Sequence, residues 1–211
     1  MSGLLGGVIS STSVTLTFAR ESRADDAPRV ALAAGAIGAC TIMLVRVLVA
    51  CAVLNPSLAA SLPRYTGAAF VIGAVAVVAA WRANAMDSVS GDLPDSPLNL
   101  RAALQMTGLF QVVLFLILMV QAWWGSQALV ATSALVGLTD LDALTLSLAR
   151  STPASAAGST AAVALVTGIL SNTLLKLTIA LVVGRGWFRT ATAAGLGAMA
   201  LAITAALFMG R

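Results

Sequence analysis

The chain has 211 residues, of which 59% are hydrophobic and only 9% are charged, and its mean hydropathy is +0.97. A soluble domain usually carries about 25% charged residues, so this composition predicts an all-α integral membrane protein with the lipid bilayer as its first partner. The formal net charge of +4 comes from basic residues scattered over short polar segments, which argues against nucleic acid as a partner.

The apolar runs are long enough to cross about 30 Å of hydrocarbon, and they predict about seven transmembrane helices. Asn55-Pro56 is a turn signal that ends the second of them. A polar linker at residues 83–101, expected to be cytoplasmic, separates a first repeat at residues 1–82 from a second at residues 102–211. The predicted helices cover residues 1–19, 30–54, 65–81, 102–124, 127–149, 160–183 and 187–209.

Arginines near the predicted helix ends indicate the orientation, because cytoplasmic loops are enriched in Lys and Arg. Counting them predicts that residues 20–29, 83–101 and 150–159 share the cytoplasmic side, with the N-terminus outside and the C-terminus cytoplasmic. The arginines assigned to the cytoplasmic side are Arg20, Arg23, Arg29, Arg82, Arg101, Arg150 and Arg211, against Arg64, Arg185 and Arg189 on the other side.

An internal match supports a duplication. Residues 7–20 align without a gap with residues 137–150, at a constant spacing of 130 residues, and Arg46 then corresponds to Lys176. Counting crossings between the two copies predicts two parallel repeats with a broken motif helix in each. The first copy lacks the opening helix of the second, so an upstream region or a neighbouring polypeptide is expected to supply it. Identical pairs include Gly7/Gly137, Thr15/Thr145, Leu16/Leu146, Ala19/Ala149, Arg20/Arg150 and Gly38/Gly168.

Two carboxylates, Asp140 and Asp142, interrupt an otherwise apolar stretch. A charge near the bilayer centre costs about 2.5–3.5 kcal/mol on insertion scales, which makes function the default explanation. Gly137 to Thr139 is expected to break the helix and free backbone groups that can bind an ion. The predicted ion site comprises Asp140, Asp142, Thr139, Thr145 and Asn172, with Ser10, Ser11 and Thr12 from the first repeat.

These oxygen ligands suit Mg²⁺, Mn²⁺, Ca²⁺ or Na⁺, with the two aspartates as the metal ligands and Mg²⁺ or Mn²⁺ as a candidate substrate. In the structural alternative, the carboxylates only cap the second half-helix, where an acid meets the helix dipole. Lys176 and Arg46 balance the two acids. They form either an internal ion-pair network or a resident counter-charge that a cation or a proton displaces.

Three motifs carry a family resemblance: residues 6–15, residues 137–150 with Asp-Leu-Asp-Ala at positions 140–143, and Asn-Thr-Leu-Leu-Lys at positions 172–176. They resemble the membrane domain of unknown function family 4010, usually the C-terminal domain of MgtC/SapB-type bacterial membrane proteins. The resemblance covers nearly the whole chain. It implies a bacterial inner-membrane protein with an MgtC-like partner or upstream region, and it brings no established activity.

Three classes of function compete. The repeat, the broken helix and the buried charges favour a transporter or channel for a small ion, most simply a cation. Small residues that allow close helix packing favour a non-catalytic assembly or regulatory subunit, which includes a homo-oligomer. An intramembrane aspartyl enzyme is the weakest candidate, because it needs an aspartate on each of two helices. We therefore expect no enzymatic activity.

Overall fold

A computed structural model of the chain describes residues 2–83, 129–151 and 160–210, with the backbone alone for residues 2–10. Within these ranges every regular element is an α-helix. The helices are α1 (Ser2–Glu21), α2 (Arg29–Leu54), α3 (Pro56–Ser61), α4 (Pro63–Arg82), α5 (Leu129–Thr139), α6 (Leu141–Ser151), α7 (Thr160–Val183) and α8 (Gly186–Met209).

Four of the described helices, α2, α4, α7 and α8, are long and apolar enough to cross a membrane. The all-helical class is therefore confirmed, whereas a total of seven spans stays a prediction. The helix expected at residues 102–124 and most of the linker at residues 83–101 lie outside the described residues. The helix expected at residues 127–149 is divided into two shorter ones, α5 and α6.

Helix α2 occupies the centre of the bundle and packs against α1, α4, α6 and α8. Half of the residues in its most apolar 18-residue stretch are buried, compared with 17% of the corresponding stretch of α4. It ends as the sequence predicts, because the Asn55 side chain accepts a hydrogen bond from the Leu58 amide and Pro56 begins the short helix α3. With 26 residues, α2 is about 39 Å long. The direction of each neighbouring helix is given by which end of α2 lies nearest to its start.

Contacts at the two ends of α2 define the two ends of the bundle. At its N-terminal end, Arg23 Nε donates to the Val183 carbonyl over 2.8 Å, and the Arg185 amide donates to Ser22 Oγ over 3.0 Å. We call this the arginine-rich end, formed by residues 22–28, residue 83 and residues 184–185. At the opposite end, Asn55 Nδ2 donates to the Ala149 carbonyl over 3.2 Å. We call this the Asn55 end.

These contacts correct the predicted topology. Segment 20–29 belongs to the arginine-rich end while Ser151 lies at the Asn55 end, so the shared side expected for residues 20–29 and the start of segment 150–159 is wrong. Residues 152–159 lie outside the described residues. The aligned segments 7–20 and 137–150 therefore run in opposite directions, and the parallel arrangement is also wrong. Counting crossings depends on every predicted span, whereas the contacts give the direction directly.

Two further expectations need correction. Helix α1 is continuous from Ser2 to Glu21, so the first motif helix is not broken. The C-terminal end of α8 lies beside the start of α4, because a Cβ at Gly210 would stand 2.7 Å from the Tyr65 ring. The start of α1 and the end of α8 therefore share the Asn55 end, and opposite sides for the two are wrong.

Candidate ion site at the helix break

A helix break is present, but it lies at Asp140 and not at the expected Gly137 to Thr139, which are the last residues of α5. Helix α5 ends at Thr139 and α6 begins at Leu141, which leaves Asp140 between them. Asp140 Oδ1 accepts a hydrogen bond from the Ala143 amide at 2.9 Å, which is the geometry of a helix N-cap. Asp140 therefore has the capping role that the structural alternative gives to the carboxylates.

A pair of glycines lets α5 approach α7 closely at this level. A Cβ at Gly137 would lie 2.5 Å from Gly168 Cα, which no real contact tolerates, so both positions require a residue without a side chain. One turn along α7, Asn172 Nδ2 donates to the Gly137 carbonyl over 2.8 Å. The break is thus held by a cap on one side and by a side chain of α7 on the other.

A cavity of about 260 Å³ lies against the break. It is enclosed by α1, α2, α7 and the segment that joins α5 to α6. Most of its lining side chains carry oxygen or nitrogen, and most belong to the set singled out from the sequence. The lining residues are Ser11, Thr12, Met43, Arg46, Thr139, Asp140, Leu141, Asp142 and Asn172.

Asp142 is paired across the cavity. Its Oδ2 lies 2.7 Å from Arg46 Nη2, with 57% of the Asp142 side chain and 27% of the Arg46 side chain exposed. Arg46 is eight residues before the end of α2, about 12 Å along the helix axis. Of the two basic residues expected to balance the acids, Arg46 is the one that contacts a carboxylate.

Lys176 lies behind the cavity and is completely buried. Its Nζ donates to Asn172 Oδ1 and, over 2.9 Å, to Met43 Sδ. No described carboxylate lies within 4.0 Å of this nitrogen, so a direct pair between Lys176 and the aspartates is not present. Asn172 and Met43 instead separate the ammonium group from the cavity.

One other predicted ligand that the structure describes, Thr145, stands apart from the cavity. Thr145 is 2% exposed and does not line it, because its hydroxyl donates to the Leu141 carbonyl within α6 over 2.7 Å. The side chain of Ser10 lies outside the described part of the structure. Conversely, Met43 lines the cavity and contacts Lys176, and the sequence carries no signal for this role since methionine in an apolar helix is ordinary.

The fold and the site together define an all-helical protein whose long apolar helices suit a membrane and enclose a polar cavity at a helix break. The chain belongs to the family described as Domain of unknown function (DUF4010), whose family model matches residues 1–184. This match confirms the resemblance drawn from the three motifs. No curated protein and no solved structure matches the chain.

Proposed function

We propose that the protein is a bacterial inner-membrane transporter or channel for a small ion, with a cation as the favoured substrate. The observation that carries the proposal is the cavity at the break between α5 and α6, where Asp140 and Asp142 face oxygen-bearing side chains of α1 and α7. Irregular backbone at membrane depth is tolerated where it lines a water-filled cavity, and discontinuous helices often form ion sites.

The exposure of the Arg46–Asp142 pair supports a hydrated site. With α2 across a hydrocarbon core about 30 Å thick, a group 12 Å from the helix end lies within the core. More than half of the Asp142 side chain is exposed, and an ionised carboxylate cannot face lipid at that depth without a large cost. The surface of the pair therefore faces water or another polar group.

The chemistry of the lining favours a cation that keeps part of its water. Two carboxylates, two hydroxyl groups of α1 and the Thr139 hydroxyl offer hard oxygen ligands. The Asn172 amide oxygen accepts a hydrogen bond from Lys176, so in this arrangement it is not available to a cation. Among the described residues no group of three or more His, Cys, Asp or Glu could hold a metal ion. Mg²⁺ commonly binds through one or two carboxylates and retains several waters, so hydrated Mg²⁺ or Mn²⁺ and monovalent Na⁺ all fit better than a fully dehydrated ion.

Arg46 gives the site a resident counter-charge. In the observed arrangement its guanidinium group forms an ion pair with the Asp142 carboxylate. A cation that binds this carboxylate has to compete with Arg46. Lys176 adds positive charge behind Asn172 and Met43. In the proposed cycle, cation entry releases Arg46 from Asp142 and cation exit restores the pair, which keeps the site from remaining empty and doubly negative.

The duplication, with the second copy inverted, is part of the proposal. Between residues 11–21 and 141–151, four corresponding positions are buried in both segments, and three are exposed in both. Thr15 and Thr145 both donate to the carbonyl four residues earlier. Inverted repeats with a site at their interface are typical of secondary transporters. The shared buried pairs are Ser11/Leu141, Thr15/Thr145, Phe18/Leu148 and Ala19/Ala149.

Orientation follows from charge. The arginine-rich end carries most of the arginines of the described residues, so we propose that it faces the cytoplasm and that the Asn55 end faces outward. An MgtC-like partner or upstream region and assembly as a homo-oligomer also remain proposals. The arginines at this end are Arg20, Arg23, Arg29, Arg82, Arg185 and Arg189.

Ion flux into proteoliposomes tests the proposal. The purified protein is reconstituted and uptake of Na⁺, Mg²⁺, Mn²⁺ and Ca²⁺ is followed with ion-selective dyes. Asp142→Asn should reduce the flux to the level of empty liposomes, because it removes a charged ligand and leaves the volume unchanged. Asp25→Asn makes the same chemical change in the exposed loop at the arginine-rich end and should leave the flux unaltered. Wild-type protein without flux for any of these ions contradicts the proposal.

One observation favours the alternative of an assembly or regulatory subunit. Asp140 caps α6 and Asp142 pairs with Arg46, so both acids already have structural partners. In that case Asp142→Asn would lower the thermal stability and the yield of any complex, while flux would be absent from the wild-type protein as well. An aspartyl enzyme gains no support, since both carboxylates lie within one short segment of the chain.

A further inference from the structure

A second cavity lies far from the helix break, between α2, α4 and α8. It measures about 630 Å³, within the range of about 300–1,000 Å³ that is usual for small-molecule sites. Eight of its thirteen lining residues are alanines, and Thr190 is the one lining residue with a polar side-chain group other than the Trp187 indole. We call it the alanine cleft; its lining residues lie within residues 30–37 of α2, residues 76–83 at the end of α4 and residues 187–195 of α8.

The alanine cleft is confined to one end of the bundle. Its residues come from the first turns of α2, the last turns of α4 and the first turns of α8, all of which meet at the arginine-rich end. From Trp187 to Gly195 the cleft extends about 12 Å along α8, close to the depth of one hydrocarbon leaflet. It closes at Gly195, where a Cβ would stand 2.5 Å from Ile37 Cδ1.

A basic residue adjoins a lining residue in the sequence on each of the three walls. The Arg29 side chain donates to the Ser22 and Ala24 carbonyls, which leaves Arg82 and Arg189 for a ligand at the mouth. Arg29 directly precedes Val30 on α2, Arg82 precedes Ala83 on α4, and Arg189 precedes Thr190 on α8. Arg82 and Arg189 are exposed, and the Trp187 side chain is 58% exposed beside them. An amphipathic indole and arginines at the mouth of an apolar cleft match the headgroup region of a bilayer.

We propose that the alanine cleft binds one anionic phospholipid, with an acyl chain between α2, α4 and α8 and the phosphate among the rim arginines. The apolar walls exclude a charged ligand from the interior, and the arginines favour a negative group at the mouth. The one-leaflet depth fits a chain that enters from the adjacent lipid. This site is separate from the ion cavity, and the inference does not depend on the proposed transport.

Native mass spectrometry tests the inference. The protein is purified, equilibrated with equal amounts of phosphatidylglycerol and phosphatidylcholine of identical acyl chains, and the bound lipids are counted. We expect phosphatidylglycerol to be retained preferentially. The double variant Ala79→Leu/Ala194→Leu fills the cleft at two of its exposed alanines and should abolish retention, whereas Ala68→Leu, an exposed position of α4 outside the cleft, should not.

Charge is tested separately at the rim. Arg82→Gln and Arg189→Gln should each reduce the preference for phosphatidylglycerol about fivefold, the factor that corresponds to one surface arginine. Arg150→Gln, at the Asn55 end, is the matched control. Equal retention by the filled and wild-type proteins overturns the inference, as does equal retention of the two lipids. A disulfide-linked dimer formed through Ala79→Cys in nanodiscs would overturn it in favour of a second copy of the chain.

Discussion

The aligned segments 7–20 and 137–150 have similar sequences, but only the second contains a helix break. Both bury the positions of Thr15, Phe18 and Ala19 in the first segment, and in both a threonine hydroxyl donates to a carbonyl of the preceding turn. Yet α1 is continuous, and its counterpart is divided between α5 and α6 at Asp140. A shared pattern of buried residues therefore determines how a segment packs without determining whether its backbone is continuous.

Two positions account for the difference. Asp140 corresponds to Ser10, and Asn172, which donates to the Gly137 carbonyl, corresponds to Ile42. Isoleucine has no donor to offer a carbonyl, so nothing on α2 replaces an intrahelical hydrogen bond as Asn172 does. A break requires both a cap for the new helix start and a partner for the released backbone, and the second half supplies both.

The largest stability effect is expected at the close approach of α5 and α7. Gly137→Ala forces the two backbones apart and should lower the free energy of unfolding by about 1–3 kcal/mol. Gly197→Ala is the control, because a Cβ there meets nothing within 4 Å, and in a helix alanine is favoured over glycine by about 0.5–1 kcal/mol. Thermal unfolding in detergent measures both. Equal midpoints for the two variants would show that the close approach is not needed.

Two substitutions of Asp140 distinguish its role as a helix cap from a role as a charged ligand. Asp140→Asn retains a side-chain acceptor for the Ala143 amide and should leave the melting midpoint nearly unchanged, whereas Asp140→Ala should cost about 0.5–2 kcal/mol. If the carboxylate also binds a cation, flux falls in both variants. Normal flux in a stable Asp140→Asn protein would restrict this residue to its structural role.

The corresponding residues Arg46 and Lys176 should respond in opposite ways. Arg46→Met removes the partner of Asp142 and, because the pair is half exposed, should cost no more than about 1 kcal/mol. Lys176→Met replaces a fully buried ammonium by an apolar chain of similar length and should leave stability equal or higher.

The same two variants distinguish their roles in binding. Without Arg46 the cavity should take up cations more tightly and release them more slowly, as measured by isothermal titration and by efflux from loaded proteoliposomes. A Lys176→Met protein with reduced stability, rescued by Asp142→Asn, would instead identify Lys176 and Asp142 as a structural pair despite their separation.

The smallest effect is expected at the two buried threonines. Thr15→Val and Thr145→Val each remove a hydroxyl that bonds only within its own helix, so each should change stability by about 0.5 kcal/mol, the lower end for a hydrogen bond, and by similar amounts. Neither should alter flux, since neither threonine lines the cavity. Loss of flux in Thr145→Val alone would restore this residue to the ion site.

Local chemistry made part of the fold predictable. The turn at Asn55-Pro56 and the break before Asp140 follow from residues that cap or interrupt helices wherever they occur. The direction of segment 137–150 could not be predicted from local residues. It depends on the number of membrane spans that precede the segment, and one span more or fewer reverses it. Contacts such as Arg23 with Val183 join residues 160 positions apart and leave no trace in the local pattern.

The candidate site was predictable as a set of residues but not as a set of pairs. Oxygen-bearing side chains at Asp140, Asp142 and Asn172 are unusual in apolar helices, so their selection needed only the sequence. The choice of Arg46 over Lys176 as the partner of Asp142 depends on how α2 and α7 rotate about their axes. No spacing within either helix encodes that rotation.

Helix α6 is fastened to α2 at two points, by the Arg46–Asp142 pair near its start and by the Asn55–Ala149 hydrogen bond near its end. The two points are about 10 Å apart along α6. In the proposed cycle, a cation that displaces Arg46 from Asp142 removes the attachment at the start of α6 and leaves the one at Asn55 in place. The start of α6, next to the break, is then the part of this helix that loses a bond to α2.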